Sequence, residues 1–411
     1  MALLTTAITA SAIQRGEAAV NRSERNAVAS EQFYPHYRLT LVLPAIQVVH
    51  SAHVGELEEP SGGTQGPAAP RLQAPVRPQT RRWQVAPFRL MTWNVENLLR
   101  VGDQGGPTTQ AELDAKLDSL AQVIDTQQPD VLALQEIGQP DMLAALQHQL
   151  THKLPHHEIS AHPDQRGIRV ALLSRLPLGD VVQVHPLASG LAPVQHGDPP
   201  ADTTQPLPTL DHLGRGALQA TVTTDGRDVV VITAHLKSKL LTFGPNRFSP
   251  HDEGERARVG GYALYQRTAE AVTLRAHLNQ LLAAQCRTRA VLLAGDLNDA
   301  IDAATTQIFN GPTGSEIGTP GFAQPDRGDG DRMWNLMLRL PPEQRGTRVF
   351  RGRPETIDHI FASHLLATRT TTIATATAIG GLRSITDHPG EQAGKPGSDH
   401  AAVIATFDLA Q

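Results

Sequence analysis

The chain has 411 residues, 40% of them hydrophobic and 19% charged, enough for one large core or two ordinary domains. Its formal net charge of −5 gives no general attraction to nucleic acid or to an anionic membrane, so any polyanion site has to be a local patch. The single Cys286 excludes an internal disulfide framework and a cysteine-based zinc cluster, and no apolar run approaches the roughly 20 residues that a bilayer requires.

Residues 1–85 read as a mostly disordered extension and linker ahead of one domain over 86–411. Met1 to Ala12 is small, apolar and Thr-rich, but no Lys or Arg precedes it, so the charged head of an export signal is missing. A cytoplasmic and an exported location both stay open. Residues 38–49 could pair as a strand, and Ser61 to Thr80 is rich in Gly, Pro, Gln and Ala, the composition of a flexible linker. A reading frame opened too far upstream would explain the region equally well.

From Phe88 the pattern changes. Phe88, Leu90 and Thr92 alternate along one face of a strand that delivers Asn94 and Glu96. Leu113, Leu117, Leu120 and Ile124 follow at helical spacing behind Thr108 and Thr109, candidate N-caps, and Pro129 stops the helix. Asp130 to Glu136 is a buried strand ending on a carboxylate, with a short helix from about Met142 to Leu150 after it. Ile168 to Ser174 is a third apolar run. The Pro/Gly/Asp-rich stretch over 184–214 reads as a long loop at the rim. Ala217–Val222 and Val229–Ala234 form a hairpin across Thr224-Asp225-Gly226, and the second arm ends on His235. A basic and aromatic loop carries Lys237, Lys239, Phe243, Arg247 and Phe248, and Glu255 to Ala284 is the longest helical pattern. Ala290 to Ala294 runs into Gly295-Asp296-Leu297-Asn298. The chain then reads as loop until Thr347–Phe350, followed by strands over Thr356–Phe361 and Ala401–Phe407, the last opened by Ser398-Asp399-His400.

Aromatics are only 4%, so Ala, Leu and Val must fill the core. Strands outnumber helices, and two packed sheets flanked by a few helices, an α+β arrangement, is the natural result. Six apolar strands then end in Asp, Glu, Asn or His: Asn94 and Glu96, Glu136, His235, Asp296 and Asn298, Asp358, and Asp399 with His400. Each has an ordinary alternative as a turn, a cap or a satisfied core histidine. Core packing gives no reason to gather costly polar groups at so many strand ends. Carboxylates and amide oxygens are the hard ligands that magnesium prefers, and His and Asn stabilise phosphoryl oxygens as charge builds on them. A histidine oriented by a carboxylate suits proton transfer. Zinc through His235, Asp399 and His400 has no HExxH spacing behind it.

Thr92-Trp93-Asn94-Val95-Glu96-Asn97, Leu134-Gln135-Glu136, Thr233-Ala234-His235-Leu236-Lys237-Ser238-Lys239, Gly295-Asp296-Leu297-Asn298, Ile357-Asp358-His359-Ile360 and Ser398-Asp399-His400 occur in the order of the endonuclease/exonuclease/phosphatase, or deoxyribonuclease I-like, superfamily. The chain resembles that superfamily over about residues 86–409. The resemblance implies a four-layered α/β sandwich of two packed, mostly antiparallel sheets flanked by helices. It also implies a divalent metal, usually magnesium with manganese or calcium as alternatives, and cleavage of phosphate esters by water. By the same likeness Glu136 is the main metal ligand, with Asn94, Glu96 and Asp399 close by. Asp296 orients or deprotonates the water, and Asn298 holds a phosphate oxygen. His235 contacts the phosphate or the leaving group, while His400, held by Asp358, sits against the scissile phosphate. Asn94 and Lys237 are further substrate contacts, and Arg169 approximately matches a phosphate-contacting arginine, with a surface arginine at a strand edge as its alternative.

Asn94-Val95-Glu96-Asn97 with His235-Leu236-Lys237-Ser238-Lys239 looks most like bacterial nucleases of the superfamily, and the loop from Lys237 to Arg258 could grip a nucleic-acid backbone. The expected partner is therefore nucleic acid or another phosphodiester; no obligate protein partner is evident. A phosphomonoesterase, a sphingomyelinase-type phospholipase and a catalytically dead binding scaffold are the rival readings. The presence of all the acids and both histidines speaks against the last.

Overall fold

Neighbouring residues of the first described strand part between two cores. Phe88 and Leu90 enter one cluster, while Met91, Trp93 and Val95 enter another. The computed structural model describes residues 86–200, 204–244, 247–310, 314, 316–323, 329–378, 380–386 and 394–410, so the expected extension over 1–85 and its strand over 38–49 lie outside the described residues.

In chain order the strands are β1 (Phe88–Leu98), β2 (Val131–Ile137), β3 (His156–Ile159), β4 (Arg169–Ser174), β5 (Gly179–Pro186), β6 (Val194–Gln195), β7 (Thr209–Leu210), β8 (His212–Thr224) and β9 (Arg227–His235). They continue as β10 (Ala290–Asp296), β11 (Met333–Asn335), β12 (Arg348–Phe350), β13 (Arg353–Glu355), β14 (Asp358–Ser363), β15 (Thr370–Ala376), β16 (Ser384–Ile385) and β17 (Ala402–Phe407). The helices are α1 (Gln110–Gln127), α2 (Pro140–Gln149), α3 (Glu253–Leu282), α4 (Ala304–Asn310), α5 (Pro320–Ala323) and α6 (His364–Arg369).

Two six-stranded sheets, ordered β15-β17-β1-β2-β4-β3 and β11-β14-β10-β9-β8-β5, carry the fold. Within them only β1–β2 and β9–β10 pair in parallel. The inner faces meet through Phe88, Leu90, Val131 and Val170 from the first sheet and Val229, Val231 and Leu292 from the second. Outside the first sheet, Leu117, Leu120 and Ile124 of α1 and Leu143 and Leu146 of α2 cover Met91, Trp93 and Leu134. Leu274, Leu278 and Leu282 bring α3 onto the second sheet's side of the core. Each such buried side chain contributes about 1.5–3 kcal/mol through removal of apolar surface from water. The result is the expected four-layered sandwich.

Local signals account for the element ends. Thr109 caps α1 reciprocally with Glu112, and Gln128 closes the helix in the left-handed conformation, one residue before Pro129. The sequence pattern does not reveal β3, β5, β11 and β15, and these are the four edge strands of the two sheets. An edge strand has one neighbour, and β3, β5 and β15 are mostly exposed or half-buried, so they need no apolar alternation; β11 is buried but is only three residues long. The stretch over 184–214 is also more structured than expected. It holds the end of β5, the short pair β6–β7 and the start of β8. Similarly α4, α5 and β11 occupy the region after Asn298 that reads as loop.

Candidate active site

Register places three of the polar strand ends in one row. Asp296 of β10 lies opposite His235 on parallel β9 and opposite Asp358 on antiparallel β14. Close approach of β9 and β10 here requires glycine: Gly295 has φ +152°, and a Cβ on it would lie 2.0 Å from the Ala234 carbonyl oxygen. From the facing sheet come Asn94 on β1, Glu136 at the end of β2, and His400 just ahead of β17. Beneath them Gln135 donates to the Thr92 and Thr233 hydroxyls, at 3.1 and 3.0 Å, and so ties the two sheets together under the site.

The chain leaves regular geometry where these side chains emerge. Glu96, Asn97, Glu136 and Asn298 all have positive φ, between 49° and 64°. Non-glycine residues rarely hold that conformation, and where it occurs it concentrates at functional sites. Its effect on Glu136 is specific. Period-two geometry would send Glu136 outward with Leu134, onto the helices. The left-handed turn and the register shift between Leu134 and Ile137 return its carboxylate to the pit. There Oε1 accepts from Asn94 Nδ2 (3.3 Å) and Oε2 from the Asn97 backbone N–H (2.9 Å).

Asn94 Nδ2 also donates to Asp296 Oδ2 at 3.0 Å, so one carboxamide joins carboxylates from both sheets. His235 Nε2 lies 3.4 Å from Asp296 Oδ2 and 4.0 Å from Glu136 Oε1. His400 Nδ1 bonds Asp358 Oδ2 at 2.8 Å, and its Nε2 lies 3.9 Å from Asp296 and 4.0 Å from Asp399. Trp93 Nε1 donates to the His400 carbonyl, and Ser398 Oγ to that of Asn94, which fixes the start of β17 against β1. Asn298 donates its backbone N–H to Asp296 Oδ1 and its Nδ2 to the Leu236 carbonyl. Glu96 Oε2 takes the Asp399 N–H and the Arg383 guanidinium.

Burial opposes charge throughout the pit, and the neighbours decide each outcome. Burial and repulsion from Asp358 raise Asp296 to about 6. Burial and then Asp399 raise Glu96 to about 8. Burial lowers His400, but Asp358 and Asp399 overcome it and lift the imidazole to about 10. Burial, followed by Arg215 and His400, holds His235 well below its ordinary value, so it is neutral. Burial also opposes ionisation of Glu136, yet Arg166 and Arg215 outweigh it and hold the carboxyl below the usual range. Protonated His400, bonded to Asp358, therefore stands beside a neutral His235. Asp358 Oδ1 and His235 Nδ1 are buried with no protein partner among the described residues, capacity left over for a bound group.

A model of the Endonuclease/Exonuclease/phosphatase family matches residues 91–400, from β1 to His400. The chain belongs to the endonuclease/exonuclease/phosphatase family. Its members are hydrolases acting on phosphate esters, generally with a divalent metal. Similar solved structures include truncated Caenorhabditis elegans TDP2 (17% identity, TM-score 0.46, 78% of this chain and 97% of that one). The human Nocturnin catalytic domain is another (15%, 0.43, 78% and 94%), as is an endonuclease/exonuclease/phosphatase from Beutenbergia cavernae (18%, 0.46, 79% and 72%). No curated protein matches the chain.

Two sequence expectations need revision in this member of the family. Arg169 lies apart from the pit. It shares strand parity with Ala171 and Leu173, which face the helices, and its guanidinium bonds the Gly138 and Gly167 carbonyls. Arg166 and Arg215 supply positive charge in its stead; Arg166 Nη1 donates to Asn97 Oδ1, and Arg215 Nη1 to the Leu236 carbonyl. The glycines flanking Arg215 were the available signal, since Gly216 has φ +63° and a Cβ there would press on Ser160 Oγ at 3.0 Å. The basic loop is also largely neutralised. Arg247 pairs with Glu255 and lies over Phe243, and Lys239 pairs with Asp299. Lys237 instead donates to the Ser238 and Leu240 carbonyls, and burial with Arg215 nearby lowers it to about 8.

The donors suit a hard cation. Glu136, Glu96, Asp399 and the Asn94 amide offer oxygen donors of the kind such a cation takes, and burial followed by Asp399 raises Glu96 despite the Arg383 guanidinium beside it. Among the described residues, Asp296, Asp358 and His400 form the one acid–histidine trio with ligand atoms within 4.8 Å of one another. Its histidine is held in the protonated form and bonded through Nδ1 to Asp358 Oδ2.

Proposed function

We propose that this family member is a divalent-metal-dependent phosphodiesterase that cleaves by water attack, and that it acts as a nuclease on DNA or RNA. The observation carrying the reading is the convergence of Asn94, Glu136, His235, Asp296, Asp358 and His400 from five strands and the entry to a sixth in one buried pit. Glu136, with Asn94, Glu96 and Asp399 beside it, would hold the metal, magnesium before manganese or calcium. The ion supplies Lewis-acid polarisation of a phosphoryl oxygen and neutralises charge.

Asp296, raised to about 6, is matched to take a proton from water near neutral pH, with Asn94 Nδ2 fixing its orientation. His400, kept cationic by Asp358, offers Nε2–H to a phosphoryl oxygen as negative charge builds there. Neutral His235 can donate one further hydrogen bond to the phosphate or to the leaving oxygen. Asn298, anchored through Asp296 and Leu236, contributes its amide on the same side. Lys237 contacts the substrate from the rim.

A lipid phosphodiesterase is the second reading, favoured by Leu240, Phe248, Leu264 and Tyr265, large apolar side chains left exposed. Incubating the purified chain with plasmid DNA, RNA, sphingomyelin and bis-p-nitrophenyl phosphate, with and without magnesium, separates the two. Hydrolysis of the nucleic acids and the chromogenic diester only with metal is expected. No turnover of any ester with any divalent ion would defeat the proposal.

A further inference from the structure

Beside the acidic pit lies a second cavity that the hydrolytic reading leaves unexplained. It has a volume of about 1000 Å³ between the start of β8, the loop after β9 and the N-terminal half of α3. Its lining presents Arg166, Arg215 and Lys237, whose charge also bears on His235. Leu241, Phe248, Val259 and Ala263 supply an apolar part of the same lining. Phe248 is 37% exposed, so its aromatic ring is partly open to solvent.

The three cations are only partly balanced by nearby carboxylates. Asp164 pairs with Arg215 at 3.1 Å and approaches Arg166 at 4.0 Å. Glu270, the other cleft carboxylate, accepts from the backbone N–H groups of Gly214 and Lys237, so it positions the walls. Three cations against two carboxylates leave one positive charge in excess along the lining, a net attraction for an anion. The volume lies at the upper end of ordinary ligand pockets, far more than one phosphate fills. A lining that is part basic and part apolar, with a partly open aromatic ring, fits a ring carried next to a phosphate. A base in a duplex is stacked on both faces and cannot enter such a recess without leaving the helix.

Building on the nuclease reading, we propose that this cleft binds one unstacked nucleotide of a single-stranded chain, its phosphate at Arg166, Arg215 and Lys237 and its base against Leu241, Phe248 and Val259. The strand would then run from the cleft into the pit, with the scissile bond next to the held nucleotide. Single strands, overhangs and frayed ends become the preferred substrates.

Equilibrium binding to the full chain in the presence of chelator tests this without turnover. Thymidine 5′-monophosphate, deoxyribose 5-phosphate and inorganic phosphate serve as probes, with phosphatidylglycerol vesicles as a fourth. The nucleotide is expected to bind at least tenfold more tightly than deoxyribose 5-phosphate. Val259→Trp, which fills the cleft, and Phe248→Ala, which opens its wall, should each erase most of that difference; melting curves show that both variants fold. Equal affinity for nucleotide and sugar phosphate, or a preference that survives both substitutions, overturns the proposal. So does binding of the vesicles with no nucleotide preference. The two readings fail separately. Diester hydrolysis without a nucleotide preference removes the cleft assignment alone, whereas a preference that depends on Val259 and Phe248 supports it even if no ester is cleaved.

Discussion

The acidic pit and the basic cleft stand side by side and are built on opposite terms. The pit gathers Glu96, Glu136, Asp296, Asp358 and Asp399 at the ends of well-paired inner strands, in backbone that includes left-handed non-glycine residues. The cleft sets Arg166, Arg215 and Lys237 on loops and at a strand start, with apolar side chains in the same lining. The cleft biases ionisation in the pit. Arg166 and Arg215 keep Glu136 charged despite its burial, and with Lys237 they help keep His235 neutral. Like charges concentrated in either place would be costly alone; adjacency offsets part of that cost.

Removing a pit residue breaks the comparison most severely. Glu136→Ala and His400→Ala are each expected to lower kcat by about a hundredfold or more, the scale of losing one electrostatic or acid–base group. Turnover within a few-fold of the parent in both variants would refute their roles. Next comes the pit's foundation. Gly295→Ala forces a Cβ into the Ala234 carbonyl at 2.0 Å and should cost about 2–4 kcal/mol in urea unfolding, through overpacking and backbone strain. Parent-like stability would mean that β9 and β10 separate freely.

A cleft substitution sharpens the contrast, because it should act on binding more than on chemistry. Lys237→Met is expected to raise KM for DNA about tenfold with kcat changed less, the pattern of a lost uniform binding contact. The same lysine gives a pH signature. With its value lowered from 10.5 to about 8, Lys237 is charged below pH 8 and neutral above it, so kcat/KM should fall as pH rises through 8. Lys237→Arg should move that limb to higher pH. Stability carries the opposite sign. Between pH 8 and 10.5 the unfolded chain keeps a proton that the native state has lost, so this group's contribution rises with pH across that window. A basic limb unmoved in Lys237→Arg would assign it to another group. The smallest effect is expected from deleting residues 1–80, which should leave melting temperature and kcat/KM as they are; an insoluble or inactive product would make that segment part of the catalytic domain.

Much of this was legible in the chain itself. Alternation in β1 and β14 and continuous apolar runs in β9 and β10, each bounded by polar residues, marked these strands together with Asn94, His235, Asp296 and Asp358. Continuous runs mark β9 and β10 because both their faces are largely buried; among the edge strands β3, β5 and β15 lack a signal because exposed surface suffices for them, and β11 because its three buried residues are too few to form a pattern. Ordered motifs also disclosed the family before any coordinates. The tertiary structure alone decided where Glu136 points, since a left-handed turn overrides strand alternation there, and that Arg169 faces the helices while Arg166 and Arg215 face the site. It likewise disclosed the Gln135–Thr233 tie between sheets and the cleft over α3. Alternation is a local property that each strand carries alone. Partnership between charges depends on which distant segments the two sheets bring face to face, and only packing settles that.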